Sequence, residues 1–234
     1  MCNLLFELSS NERMNILLSL QEESLRQSHI SQRLGMTITE TSRHLQRLVD
    51  IQLIKRKTDG RFSLTMYGDL AIKLLSDIQF ISNNRQYFIY HDLSSVPPKL
   101  VNRLGELVSS EFENDAVNVI ARATKMLRGA EEYIWSNSYR ILPAHIPIIE
   151  EKVAHGVEFR GIYPRDYVTD SPIAGSLRYV QDIGLRLLVT DKEAMTGFLN
   201  LSGQPDYSAF FSTDPGFIEW CRDAHLYQWH RASV

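Results

Sequence analysis

The stretch from Gln27 to Leu64 breaks its helical hydrophobic period once and then drops to a period of two, and this constrains the fold more than any other feature of the chain. Gln27 to Leu34 carries Ile30 and Leu34 at i and i+4, the spacing of one helix face, and Gly35 follows where a helix end favours a left-handed residue. Thr37 and Thr39 then compete to cap a second helix running through roughly Ile51. Its inward stripe is Thr41, Leu45 and Leu48, with Thr39, Glu40, Arg43, Gln46, Arg47 and Asp50 facing out. After Leu53-Ile54 the period drops to two. Asp59-Gly60 is a hairpin signal between Lys55-Arg56-Lys57 and Arg61-Phe62-Ser63-Leu64.

Two flanking helices complete the pattern. Ser9 or Ser10 caps one that runs to about Gln21, with Met14, Leu17, Leu18 and Leu20 on one face. The other, about Met66 to Ser82, brings Leu70, Leu74 and Ile78 onto one face and closes the domain. The order predicts a winged helix-turn-helix.

Charge is local where this pattern needs it. The whole chain carries a formal charge of −3, yet residues 1–76 hold 10 Lys+Arg against 8 Asp+Glu. A small basic island on an acidic chain suits site-specific binding to duplex DNA better than blanket phosphate binding. Thr39, Ser42, Arg43 and Gln46 offer donors and acceptors to base edges from the exposed N-terminal half of the second helix, and Arg47 follows them. Lys55, Lys57 and Arg61 supply cations to the wing for phosphates or the minor groove. The expected partner is a double-stranded operator, read by a homodimer with one recognition helix per half-site.

The run from Ile30 to Gly68 also resembles the winged-helix domain of ArsR-type and related archaeal regulators. Ser42-Arg43-His44-Leu45, Leu53-Ile54, Leu64-Thr65 and Gly68 carry the likeness. The cysteine ligands of the metal-sensing members are missing, so metal sensing is not implied.

Residues 1–82 are therefore expected to form the DNA-binding domain, 83–98 a linker, and 99–234 an effector-sensing or dimerisation domain. The linker assignment rests on Ser82-Asn83-Asn84 and on Pro97-Pro98, which cannot sit inside a helix. The aromatic patch of Tyr87, Phe88 and Tyr90 fits core packing, a dimer contact, or both. Cys2 and Cys221 are the only cysteines, no Cys/His group has zinc-site spacing, and no apolar run approaches a membrane span. A cytoplasmic protein without a metal or cofactor is the expectation.

After a helical stretch around Lys99–Ser109, helices are expected at Asn114–Gly129, with Val117, Ile120, Ala121 and Ala123-Thr124 buried, and at Ile146–Ala154, Gly175–Asp182 and Pro215 to about His230. Strands are expected at Glu132–Trp135, Glu158–Tyr163, Leu185–Thr190, Thr196–Leu201 and Ala209–Ser212. The whole is an α+β winged-helix domain followed by an α/β domain, a mixed sheet flanked by helices. Ligands in such sheets sit beyond the carboxyl ends of strands. Trp135 and Asn137 at one strand end, with Tyr163, Arg165 and Asp166 at another, are candidate ligand-binding residues for a small-molecule effector. The same segments also read as ordinary loops with capping side chains and a surface ion pair.

Residues 99–232 resemble the middle domain of archaeal methanogenesis-regulator proteins and, more distantly, the effector domain of TrmB-type sugar-responsive regulators. The signals are Ala130 to Ser136, Gly156 to Arg160, and the tail from Phe217 through Trp229. The resemblance implies a phospholipase-D-like sheet that senses rather than cuts. Phospholipase D chemistry needs a His with a Lys two positions later. His145 is followed there by Pro147, His155 by Val157, His225 by Tyr227 and His230 by Ala232. The chain also lacks a Gly-rich phosphate loop and a nucleophile elbow. A non-catalytic transcriptional regulator is expected; the alternative is an enzyme or effector-binding protein that uses its winged helix to contact other proteins.

Overall fold

The computed structural model describes residues 2–167, 171–202 and 206–233. The chain divides into two units, Met1–Ser76 and Asp77–Val234.

In the first unit the helices are α1 (Cys2–Leu8), α2 (Asn11–Glu22), α3 (Gln27–Leu34) and α4 (Ile38–Asp50). Strands β1 (Ile54–Arg56) and β2 (Phe62–Leu64) follow, then α5 (Met66–Asn83), which runs on past the division. Ser10 caps α2 and Thr37 caps α4, which settles both choices left open by sequence. The hairpin closes through Lys57 N–H donating to the Arg61 carbonyl at 2.7 Å, and Gly60 takes a φ of 82°, as the turn demands. Leu25 pairs with Phe62 as an extra rung on the wing. Ile16, Leu17, Ile30, Leu45, Leu48 and Leu53 form the centre of this core.

The stripe expected to close this core points the other way. Leu70, Leu74 and Ile78 are 52%, 70% and 57% exposed, whereas Ala71 and Ile72 are buried and Leu75 packs partly against the core. Gly68 explains the rotation: a Cβ there would lie 2.0 Å from the Leu53 carbonyl oxygen. With the helix seated on Leu53 at Gly68, the residues at i+3, i+4 and i+7 are Ala71, Ile72 and Leu75, and these face inward.

The second unit is a mixed sheet between two helical layers. Its strands are β3 (His91–Asp92), β4 (Glu111–Glu113), β5 (Tyr133–Asn137), β6 (Glu158–Pro164), β7 (Leu177–Val180), β8 (Leu185–Thr190), β9 (Ala194–Asn200) and β10 (Ala209–Ser212). They lie in the order β4-β10-β9-β8-β5-β6-β7, with β3 added beside β9. β5, β6 and β7 pair in parallel, and the remaining pairs are antiparallel.

The helices of this unit are α6 (Arg85–Ile89), α7 (Pro98–Val101), α8 (Ala116–Gly129), α9 (Ile146–Ala154) and α10 (Pro215–Trp229). Residues of α6, α7 and α10 pack with Trp135, Leu185, Leu187 and Val189 on one face, and α8 and α9 pack with Ile134, Phe159, Tyr163 and Leu188 on the other. Among the described residues no helix is long and apolar enough to cross a membrane.

Three expectations change here. Residues 83–98 are not a linker: Tyr87 and Val96 are buried in the same core as Phe80, and the Tyr87 hydroxyl accepts the Phe198 N–H at 2.8 Å. Within the span expected as a helix at Gly175–Asp182, Leu177–Val180 is instead strand β7, because Leu177 to Val180 extend the parallel edge beside β6. On α8 the buried face is Val119, Ala123, Met126 and Leu127, while Val117 and Ala121 are exposed. Asp115 caps that helix by accepting from Val117 and Asn118 N–H, and Val117, two residues from the buried Val119, lies on the opposite side of the helix.

Replacing Gly68 by Ala forces this contact apart and is expected to destabilise the first unit by about 1–3 kcal/mol. Gly129→Ala, where an added Cβ meets nothing within 4 Å, is expected to leave stability unchanged or raised. Urea unfolding followed by circular dichroism measures both.

Candidate functional site

α4 is held at both ends. At its start the Thr37 hydroxyl accepts the Glu40 N–H at 3.2 Å while the Glu40 carboxylate accepts the Thr37 N–H at 3.1 Å, a reciprocal capping box. The Thr37 hydroxyl and backbone bonds hold the Glu40 carboxyl below its ordinary value. In its last turn Arg47 donates to Glu7 at 2.6 Å and lies 5.6 Å from the Phe6 ring. Glu7 is buried and also pairs with Arg13 at 2.9 Å, so this one carboxylate ties α1, α2 and α4 together.

These contacts sort the residues nominated for DNA. Thr39, Ser42 and Arg43 are exposed on α4, and Lys55 on β1; among the described residues none of the four has a side-chain hydrogen bond or ion pair. Gln46 donates to Asp50 at 2.7 Å and Lys57 to the Ser24 hydroxyl at 2.7 Å, both on the surface. Arg61 sits 3.4 Å from Asp59. Arg47 is the exception, engaged as a positioning residue. Arg56, not nominated, stands exposed with its guanidinium 5.8 Å from the Phe62 ring, adding a cation to the wing. Its place one residue along the strand from Lys55 was the available signal.

The five residues nominated for a ligand do not share one pocket. β5 and β6 are adjacent and parallel, with Asn137 opposite Ile162, so the Tyr163 side chain points away from those of Trp135 and Asn137. Arg165 and Asp166 lie on an exposed turn after β6. Trp135 and Asn137 instead face α10. The Asn137 amide donates to Gln228 at 2.9 Å, which leaves its oxygen to accept from His225 Nδ1 at 2.6 Å. His225 is therefore protonated on Nδ1; its Nε2 is buried without a partner, and its ring stacks against Trp135 and Trp229. Burial, aided by the Arg160 charge, pushes the His225 pKa down to about 3.

On the opposite face lies a cavity of about 90 Å³. Val119, Ala123, Ile134, Phe159, Leu188 and Met195 form apolar walls, and Ser136, Tyr139, His145, Tyr163 and Arg186 bring polar groups to it. The Tyr163 hydroxyl donates to Ser136 at 3.3 Å, and His145 Nε2 lies 2.9 Å from the Thr124 hydroxyl. Burial pushes the Tyr163 pKa up and the His145 pKa down, so both are neutral at pH 7. Of the nominated ligand residues, Tyr163 alone reaches this cavity. Arg186 was missed: one cation within Leu185–Leu188 reads as the wet side of a strand.

A winged-helix unit followed by a helix-flanked mixed sheet is the architecture to compare. No family model matches the chain, and no curated protein matches it. Among solved structures, one described as TrmBL2, an archaeal chromatin protein with a novel mode of DNA binding, is similar over 96% of this chain and 94% of that one. The identity is 12% and the TM-score 0.45. Nuc from Salmonella typhimurium, a phospholipase D family member, is similar over 53% of this chain and 95% of its own, at 15% identity and a TM-score of 0.40. NucT from Helicobacter pylori is similar over 53% and 99%, at 13% identity and a TM-score of 0.40.

The His225 cluster has a consequence in pH. Its folded pKa lies below the unfolded value of about 6.5, so the stability it confers is full above that value and is lost as pH falls toward 3. Between pH 7 and 4.5 the loss is expected to be roughly 3 kcal/mol. His225→Phe keeps a ring between the two tryptophans but cannot take up a proton, so its stability is expected to fall by that much less over the interval. Denaturant titrations of both proteins at the two pH values measure the difference.

Proposed function

We propose that this chain is a dimeric transcriptional regulator that reads duplex DNA with α4 and the β1–β2 wing, and whose second unit senses a small molecule. The observation that carries the reading is the outer face of α4. Thr39, Ser42 and Arg43 are exposed and uncommitted on a helix immobilised at both ends, beside a hairpin that presents Lys55, Arg56, Lys57 and Arg61. A helix with free donors and acceptors in its first turns reads base edges, and a cationic hairpin next to it contacts phosphates.

The exposed stripe of α5 supports the dimer. Tyr67, Leu70, Leu74, Ile78 and Ile81 recur at spacings of three and four along one face, and each is at least 43% exposed. Such a stripe packs against its own copy in a two-helix seam. The cavity beside Arg186 supports sensing. Catalysis is not part of the reading: His145, the histidine at the cavity, is buried and neutral, and Pro147 stands where phospholipase D chemistry places a lysine.

Selection from a random duplex pool is expected to enrich a near-palindrome with half-sites about 10 bp apart. Arg43→Ala is expected to weaken binding to the selected site about tenfold or more, with little change on a scrambled duplex. The triple change of Lys55, Lys57 and Arg61 to Ala is expected to weaken binding to both duplexes and reduce the log–log salt slope by about 2–3. Equal slopes for the triple variant and the parent protein, or no enriched sequence, would count against this interface.

Leu70→Glu combined with Leu74→Glu is expected to convert a two-chain particle into a one-chain particle in sedimentation equilibrium while far-UV circular dichroism is retained. A two-chain mass that survives both substitutions would remove α5 from the dimer contact.

A further inference from the structure

We propose that the cavity beside Arg186 binds a small organic carboxylate, with the acid group on the guanidinium and a short apolar body against the walls. This names the ligand class for the sensing half and so rests on that reading of the second unit.

Arg186 is the observation that points to an anion. It lies on β8, every residue of which is buried, and is itself 8% exposed. Of its five N–H donors one is committed, from Nη2 to the Ser208 carbonyl at 2.6 Å, and the Tyr207 ring lies 5.6 Å away. Among the described residues no carboxylate comes within ion-pair distance of it. The acid whose field reaches it, Asp206, is already engaged by His91, by the Ser208 N–H at 2.7 Å and by the Ser208 hydroxyl at 2.8 Å. Buried cations in proteins are paired, because removing a guanidinium from water without a counter-charge is costly. An anion in the cavity supplies the missing partner and the acceptors for the free donors.

Gly197 keeps this guanidinium in place. A Cβ at that position would lie 2.8 Å from the Ser208 carbonyl oxygen and 3.1 Å from Arg186 Nη2, so only glycine lets the arginine and its acceptor meet there. The rest of the cavity selects the body of the ligand. Val119, Ala123, Ile134, Phe159, Leu188 and Met195 form an apolar side that receives the body, while Ser136, Ser138, Tyr139, Arg140 and Asp206 border it with polar groups. A volume of about 90 Å³ limits the occupant to a compact molecule. Asp206 lies on the same lining as Arg186, and a neighbouring carboxylate repels a phosphate dianion more than a monoanion.

The test uses the full chain and four probes: sodium butyrate, isovalerate and benzoate as acids, and isovaleramide as the neutral match to one of them. Inorganic phosphate serves as a charge-only control. At concentrations on the order of 10 mM at least one acid is expected to raise Tm saturably, with no shift from isovaleramide or phosphate. Calorimetry is expected to give an affinity at least about tenfold weaker for Arg186→Gln. Ala123→Leu, which fills the cavity from α8 and leaves the arginine untouched, is expected to weaken binding similarly and covers the case in which Arg186→Gln does not fold.

The proposal is overturned if no acid shifts Tm more than the amide does, if phosphate alone binds, or if acid affinity is unchanged in a folded Ala123→Leu protein. Affinity for the selected DNA, measured with and without the bound acid, separates the two readings. Acid binding that leaves DNA affinity unchanged keeps the site and removes its sensing role, whereas failed acid binding with intact DNA binding removes the site and keeps the reader.

Discussion

The sheet of the second unit is covered on both faces, and most of what this chain can do follows from that. β8 has no solvent side: Leu185, Leu187 and Val189 pack toward α10, and Leu188 toward α8 and α9. A sheet buried in this way tolerates a polar side chain only where a partner is built in for it. Asn137, His225 and Gln228 are joined in a chain of hydrogen bonds on one face, with His225 Nε2 left without a partner among the described residues. Arg186, on the other face, keeps four donors without a partner among the described residues, beside the cavity. The same constraint thus yields a hydrogen-bonded cluster on one side and a cavity-facing cation on the other.

Much of the architecture was legible because its signals are local. α3 and α9 have the bounds read from sequence, since Gly35 stops the first with a φ of 64° and the Ile146-Pro147 start and Gly156 frame the second. The hairpin followed from Asp59-Gly60 alone. What failed was rotation about an axis. On α5 the apolar residues at 70, 74 and 78 outweigh Ala71 and Ile72 in any periodicity sum, yet the helix seats on Gly68, whose missing Cβ matters only once Leu53 lies across from it. On α8, Val117 satisfies the helical period with Ile120 and Ala121, but the packed stripe is Val119, Ala123, Met126 and Leu127, on the other side of the helix.

The candidate sites divide in the same way. The outward residues of α4 were recoverable because a buried stripe of Thr41, Leu45 and Leu48 dictates which residues are left outside. The ligand residues were chosen by strand ends, a rule that finds the edge of the sheet but not its face. Trp135 pairs with Arg160 on the neighbouring strand, and the three-residue offset from there to Tyr163, odd in a period of two, puts the two side chains on opposite sides. Arg186 depends on Ser208 and Tyr207, more than twenty positions away, and no local pattern announces such a partner.

If α4 reads DNA as proposed, the tether between Arg47 and Glu7 bears on how recognition is timed. A reading helix clamped by a capping box at its start and by a buried carboxylate at its end has little conformational freedom left to lose when it meets a duplex. The ordering entropy that flexible readers give up on contact is, for this helix, already part of folding. Encounter with a wrong sequence then cannot be rescued by local adjustment of the backbone. On the proposed reading, discrimination then falls to the rate at which mismatched complexes dissociate, with fast sampling of DNA and brief residence everywhere except at a matching site.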